Sequence, residues 1–249
     1  NEELAEDLKN EMQKINPNLS INSFFCDFSV QDSIRECADK IKNDLKAIDL
    51  LINNAGVVNT EYSETIDGIE NTFAVNHLGY FLFTNLLLDL VKKESESRII
   101  NVSSAAHHFV KGMQWDDINY KDDFKMGLKA YGQSKLGNIL FTKQLAKKLQ
   151  KDGVTVNAIH PGGVNTSLGN QNNSLLGRVL KIILKPFFRS PLKGANTIIY
   201  LAEIDGLSIT GAYWVDGRVA KTSHYSKNEA EAEKLWRLSE KLVNQEFDI

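Results

Sequence analysis

The chain has 249 residues, 42% hydrophobic and 24% charged, with a formal net charge of -3. That length suits one α/β domain or two small ones with a real core, and the balance of charge leaves no basic footprint for nucleic acid. Cys26 and Cys37 have no metal-ligand spacing and fit a reducing compartment. No run of 18 or more apolar residues occurs, so no spanning helix is expected, and no secretory signal is read at the start.

The chain opens on Asn1 and runs at once into Leu4, Leu8 and Met12 at helical spacing, which predicts a helix over 2–15. This looks like the middle of a structural unit, so an N-terminal piece is expected before it. Asn16-Pro17-Asn18 ends the helix because proline cannot continue the ladder. Residues 21–27, rich in Phe and Ile, predict a strand. Ser29-x-x-Asp32 has the form of a capping box opening a helix with Val30, Ile34, Cys37, Ile41 and Leu45 on one face. Residues 49–53 are an apolar strand too short for a helix, closed by Asn54-Ala55-Gly56. A longer helix follows with Phe73, His77, Tyr80, Thr84, Leu87 and Val91. Residues 98–103 form the next strand, 105–126 a loop-rich stretch, 128–150 a helix and 154–159 a strand closed by His160-Pro161-Gly162-Gly163. Residues 165–190 are an irregular insertion, 191–202 a helix, 212–215 a last strand and 229–243 a charged amphipathic helix. Solidly apolar strands alternating with helices predict a single α/β domain, a doubly wound parallel sheet of Rossmann type.

In such a sheet the ligand crevice lies beyond the carboxyl ends of the strands. Asp27, Asn54-Ala55-Gly56, Ser103-Ser104 and Pro161-Gly162 fall there. Each is an ordinary turn or cap taken singly, but four coincidences on one edge point to a site. Tyr131 and Lys135 lie four apart on the 128–150 helix, so a phenol and an ammonium share one wall. A fixed cation lowers a phenol's pKa and suits it to proton exchange with a carbonyl or alcohol oxygen. Tyr-x-x-x-Lys alone is common on solvated helix faces; its companions raise its weight.

Asn53-Asn54-Ala55-Gly56, Ser103-Ser104, Tyr131-x-x-x-Lys135 and Pro161-Gly162-x-Val164-x-Thr166, in that order, resemble the short-chain dehydrogenase/reductase family over nearly the whole chain. Asn76-His77-Leu78-Gly79-Tyr80-Phe81, the Val102-Ser103-Ser104 stretch through His107-His108, and the residues from Tyr131 to Asn138 resemble its retinol-dehydrogenase-like branch. The resemblance implies an NAD(P)-dependent oxidoreductase, with NADP favoured over NAD, interconverting an alcohol and an aldehyde or ketone. It implies Tyr131 as general acid and base, Lys135 lowering its pKa and holding the nicotinamide ribose, Ser104 donating to the substrate oxygen, and Asn76 holding a water in a proton path. It places Asp27 and the Phe28 backbone at the adenine, Asn54, Ala55 and Gly56 along the adenosine, and Pro161, Gly162, Val164 and Thr166 at the nicotinamide and phosphates. No metal is expected; His107 and His108 read as loop histidines at the substrate entrance and His160 as a packed strand end.

The family's Gly-rich turn, which carries the amides that hold the pyrophosphate, is not found in the sequence. It is expected to precede Asn1, together with the first two strands, so 1–249 is expected to bind cofactor poorly and fold badly alone. Residues 174–188, with Leu175, Leu176, Val179 and Leu180 among Arg178, Lys181 and Lys185, read either as a packed helix or as a lid over a hydrophobic pocket that also touches a membrane surface. A lipophilic substrate is expected: a retinoid, a steroid or a lipid aldehyde. The expected location is intracellular, cytoplasmic or on a membrane such as the endoplasmic reticulum if an anchor lies upstream. The alternatives are a non-catalytic dinucleotide-binding sensor or pseudo-enzyme fragment, and a homodimeric scaffold built on the helices from Thr72 and Leu128.

Overall fold

The computed structural model describes residues 2–94, 96–162 and 191–249. The element order is α1 (Glu2–Ile15), α2 (Gln31–Asp44), β1 (Leu50–Asn53), α3 (Asn71–Val91), β2 (Arg98–Val102), α4 (Leu128–Lys148), β3 (Thr155–His160), α5 (Pro191–Glu203), β4 (Tyr213–Val215), β5 (Arg218–Val219) and α6 (Glu229–Leu242). The sheet runs β1-β2-β3-β4-β5. Its first four strands are parallel, in the registers Leu50↔Arg98, Arg98↔Thr155 and Ala158↔Tyr213. β5 returns antiparallel to β4. Asp216 and Gly217, at φ 51° and 70°, make that tight turn, the Asp-Gly form that matches strand twist.

Strand alternation sorts the side chains to two covered faces. Leu51, Ile99 and Val156 pack with α3 and α4, while Ile100, Val102, Ile159 and Trp214 pack with Leu201 of α5. The predicted parallel sheet with helices on both faces is therefore present. Two expectations from the N-terminal region are corrected. Residues 21–27 form no strand: β1 has only β2 beside it and no ladder reaches this segment among the described residues. Phe24, Cys26 and Phe28 instead pack sideways against the core. The predicted Ser29 capping box is also absent. α2 starts after Val30 with no side-chain cap from its own turn. Asp67 supplies the acceptor from across the chain, taking the Gln31 N–H at 3.0 Å, and Ser29 spends its own hydroxyl on Asp27 at 2.6 Å.

α3 is long and apolar enough to cross a membrane by length and composition, but 83% of its apolar window is buried inside this fold. It is the core helix. Glu70, itself buried, caps it by accepting the N–H groups of Thr72 and Phe73 at 2.8 and 2.7 Å. Within it, Ala74–Leu78 form a π-helical turn, a rare insertion that re-aims side chains and often marks functional positions. α6 lies against α3 and α4: Trp236 packs on Phe81 and Phe141 with ring centroids 4.9 and 5.9 Å apart, and Ser239 meets His77 at 3.0 Å. The chain's own C-terminal helix thus covers part of the surface suggested for pairing with a second copy.

Asn228 caps α6, its side chain accepting from Ala230 N–H at 3.0 Å and Glu231 N–H at 3.4 Å. Asn228→Ala is expected to cost about 1 kcal/mol, visible as a lower urea midpoint with an unchanged slope.

Candidate active site

β1, β2 and β3 end on one edge of the sheet, and residues 54–57, 103–106 and 161–162 turn there. α4 runs under that edge and brings Tyr131, Ser134, Lys135 and Asn138 to it. Gly162 adopts φ 83°, the left-handed region open to glycine, as the chain leaves β3.

Lys135 is buried beneath this edge. Its Nζ donates to the Val102 carbonyl at 3.1 Å, which also accepts Asn138 Nδ2 at 3.1 Å. The same Nζ lies 5.6 Å from the Tyr131 ring centroid and 5.9 Å from that of Tyr80. The predicted shared wall of phenol and ammonium is real. Its electrostatics differ from the expectation that Lys135 pulls the Tyr131 pKa down. Burial pushes the Tyr131 phenol up, and the hydrogen bond with the Ser104 side chain opposes that. Burial also brings Lys135 down to about 7, so its charge is partial at neutral pH. Sequence spacing puts the two groups together but carries no information about the desolvation that each undergoes.

The 54–57 loop is pinned from α3. The Tyr80 hydroxyl donates to the Ala55 carbonyl at 2.7 Å. Asn76, on the π-helical turn, accepts Val57 N–H at 2.8 Å and donates to Val57 O at 2.9 Å and Ser134 Oγ at 3.0 Å. Ser134 Oγ donates in turn to the Tyr131 carbonyl at 2.8 Å. The Asn76 amide is therefore committed to bracing loop and helix together. A Cβ on Gly56 would lie 3.1 Å from Asn76 Oδ1 and 3.6 Å from Lys135 Nζ, so a larger residue would crowd the Asn76 amide.

Ser103 and Ser104 divide their work. Ser103 Oγ donates to the Lys135 carbonyl at 2.7 Å, tying β2 to α4, and Ser104 faces Tyr131. Asp27 is exposed, its Oδ1 accepting from Ser29 N–H at 2.9 Å and its N–H donating to Ser33 Oγ at 2.9 Å. Phe28 packs so closely on α3 that a Cβ at Gly79 would lie 2.4 Å from its ring. Pro161 and Gly162 are half-buried at the end of β3. Val164, Thr166 and the whole 174–188 stretch lie outside the described residues.

Several features of the site were not legible in the sequence. Asn53 and Asn101 sit inside the sheet, where Asn53 Nδ2 donates to Thr84 Oγ1 and Asn101 Oδ1, both at 2.8 Å, and Asn101 Nδ2 donates to Thr142 Oγ1 at 3.0 Å. The available signal was an Asn interrupting each of two apolar strands. Tyr213 is buried on β4, and its phenol is pushed up first by that burial and then by the nearby Tyr131. His107, expected at an entrance, is fully buried, while His108 is exposed. Among the described residues no cluster of three or more His, Cys, Asp or Glu is arranged to hold a metal.

The family model described as Enoyl-(Acyl carrier protein) reductase matches residues 2–217. Mouse retinol dehydrogenase 14 is 41% identical over 216 residues, 85% of this chain and 64% of that protein; the chain thus spans under two thirds of the length of this relative. Among solved structures, an uncharacterized protein from Mycobacterium Paratuberculosis superposes with TM-score 0.69 at 30% identity, over 90% of this chain and 76% of that one. The Pseudomonas aeruginosa RhlG/NADP active-site complex does so with TM-score 0.57 at 26% identity, over 76% and 72%. With the serine, tyrosine and lysine of the motif meeting at one sheet edge, these matches place the chain: it belongs to the short-chain dehydrogenase/reductase family, in the retinol-dehydrogenase-like branch.

Proposed function

We propose that the protein is an NAD(P)-dependent oxidoreductase that interconverts a lipophilic alcohol and its aldehyde or ketone. The observation that carries this is the meeting of Ser104, Tyr131 and the buried Lys135 amine at one sheet edge, with Lys135 Nζ 5.6 Å from the Tyr131 ring centroid. The described residues offer the cofactor a cradle: Gly56 keeps a Cβ out of the space beside Lys135 Nζ, and Lys135 has a single protein acceptor for its three protons in the hydrogen bonds described. Residues 54–56, Lys135, Pro161 and Gly162 are the residues to hold it, with Asp27, Phe28, Val164 and Thr166 as further contacts. NADP is the preferred form, in keeping with the RhlG/NADP complex.

When bound, the nicotinamide supplies or takes up the hydride. The chain supplies orientation and a proton. Tyr131 protonates the substrate oxygen in reduction and recovers the proton in oxidation. Its raised pKa keeps the acid form dominant at neutral pH, so carbonyl reduction is favoured near pH 7 and alcohol oxidation gains as pH rises. Ser104 donates to the same oxygen as charge develops there. Asn76 holds the 54–57 loop against α4 and is assigned to the proton path as a positioning residue.

A lipophilic substrate is supported by the name of the mouse relative and by the exposed side chains of Phe109 and Leu128. Phe109 abuts Gly132, where a Cβ would lie 3.2 Å from it, and Leu128 is one helical turn before Tyr131. The test is reduction of straight-chain aldehydes by the full gene product with NADPH. The expected result is a kcat/KM that climbs at least tenfold as the chain grows from three to ten carbons, consistent with about 0.8 kcal/mol per buried methylene. Preference for short polar carbonyls would defeat the lipophilic reading, and no carbonyl reduction at all would defeat the enzymatic one.

A further inference from the structure

His107 lies three residues beyond Ser104, in the 3-10 turn Ala105–Phe109 that Ser104 itself caps. Its ring is fully buried and both nitrogens are used. Nδ1 lies 2.6 Å from the Ser104 carbonyl and Nε2 accepts the Ser223 backbone N–H at 3.2 Å. A carbonyl can only accept and a backbone N–H can only donate, so these partners select the neutral tautomer with the proton on Nδ1. Burial is the largest cause holding the imidazole low, at about 4, so the tautomer persists across the working pH range. The ring is also packed against His108 at 3.9 Å and edge-on to Tyr213 at 5.1 Å.

The consequence falls on Ser104. Its hydroxyl has a competing local use, accepting Ala106 N–H at 3.2 Å as the cap of the turn. Its carbonyl receives two donors from one residue, the His107 backbone N–H at 3.2 Å and the His107 ring. The chain before Ser104 is held by the Ser103 N–H on the Ile159 carbonyl at 2.8 Å, so fixing the Ser104 carbonyl on its other side leaves little freedom for the direction of its Cα–Cβ bond. The far side of the ring is anchored on residue 223, beyond the β4–β5 hairpin, so the clamp refers Ser104 to a different part of the fold from its own turn. Loss of a few tenths of an ångström at a preorganised donor is costly in rate while leaving ground-state binding nearly unchanged.

We propose that His107 is a positioning residue of the reaction: a neutral imidazole strut that aims the Ser104 hydroxyl at the substrate oxygen by holding the Ser104 carbonyl. This rests on the assignment of Ser104 as donor to that oxygen. The two nitrogens are tested separately, because an Asn amide nitrogen overlays Nδ1 and a Gln amide overlays Nε2. In the full gene product, His107→Gln is expected to lower kcat for aldehyde reduction roughly tenfold or more, with NADPH affinity within about threefold of the parent. His107→Asn, which keeps the donor to Ser104, is expected to stay at least threefold above His107→Gln. His107→Phe, which keeps an aromatic ring against His108 and Tyr213 and loses both hydrogen bonds, stands in for Gln if that variant does not fold, with the same expected loss. Parental kcat in His107→Gln or His107→Phe, or equal losses in the Gln and Asn variants, overturns the strut. An inactive parent would instead overturn the oxidoreductase assignment, so the two failures are distinct.

Discussion

Tyr131→Phe is expected to reduce kcat/KM for aldehyde reduction by about three orders of magnitude, within the span attributed to a positioned general acid. NADPH binding is expected to stay within about threefold of the parent. The substitution removes one oxygen from a half-buried ring and leaves its volume in place, so the packing under the sheet edge is kept. What is lost is the hydroxyl proposed as proton donor, beside Ser104. Folding stability is expected to change by no more than about 1 kcal/mol, the ordinary net value of a single hydrogen bond. Stopped-flow or steady-state reduction rates, paired with a fluorescence titration of NADPH, check both halves. Activity above a tenth of the parent's would show that the proton comes from elsewhere, with Tyr213 the first place to look because it adjoins Tyr131. Loss of cofactor binding along with turnover would recast Tyr131 as a structural member of the cradle.

The site was legible because parallel strands deliver their carboxyl ends to one place. Once β1, β2 and β3 are read from their apolar runs, the residues after each must be neighbours, and Tyr131 and Lys135 follow from helical spacing. The failures share a cause. Residues 21–27 have the aromatic and β-branched composition of a strand, but a strand requires a partner, and composition does not show whether one is adjacent. The Ser29 cap failed for the same reason: the acceptor that closes α2 is Asp67, 36 residues away. β5 was missed although Asp216-Gly217 is a strong hairpin signal, because a two-residue strand has no periodicity to detect. The Asn53–Asn101–Thr142 chain and the burial of His107 are properties of packing. Alternation along a strand shows only that a polar residue points inward; its partners come from other elements.

Burial, the quantity least visible in sequence, also sets the behaviour of Lys135. Lys135→Met is expected to abolish most activity, by about a hundredfold or more, since it removes the only cation beneath Tyr131 in the described hydrogen-bond and ring contacts. The same variant is expected to be more stable than the parent at pH 6, and the sign follows from proton linkage. In the unfolded chain the amine holds its proton up to its ordinary value of 10.5, while in the folded protein burial releases it near 7. Between those values the unfolded state binds more protons, so parental stability rises with pH across that interval. Below it both states are charged and the fold carries the full desolvation penalty, on the order of a few kcal/mol at about 1.4 kcal/mol per pKa unit. Methionine is of similar length, has no charge to desolvate, and leaves the Val102 carbonyl its bond from Asn138. The stability advantage of Lys135→Met is therefore expected to be largest at pH 6 and to shrink toward zero by pH 10, measured by urea denaturation of both proteins across that range. A variant less stable than the parent at pH 6, or an advantage independent of pH, would show that the buried ammonium is well solvated by its surroundings. In the expected case the fold retains a destabilising cation beside the phenol proposed to transfer the proton.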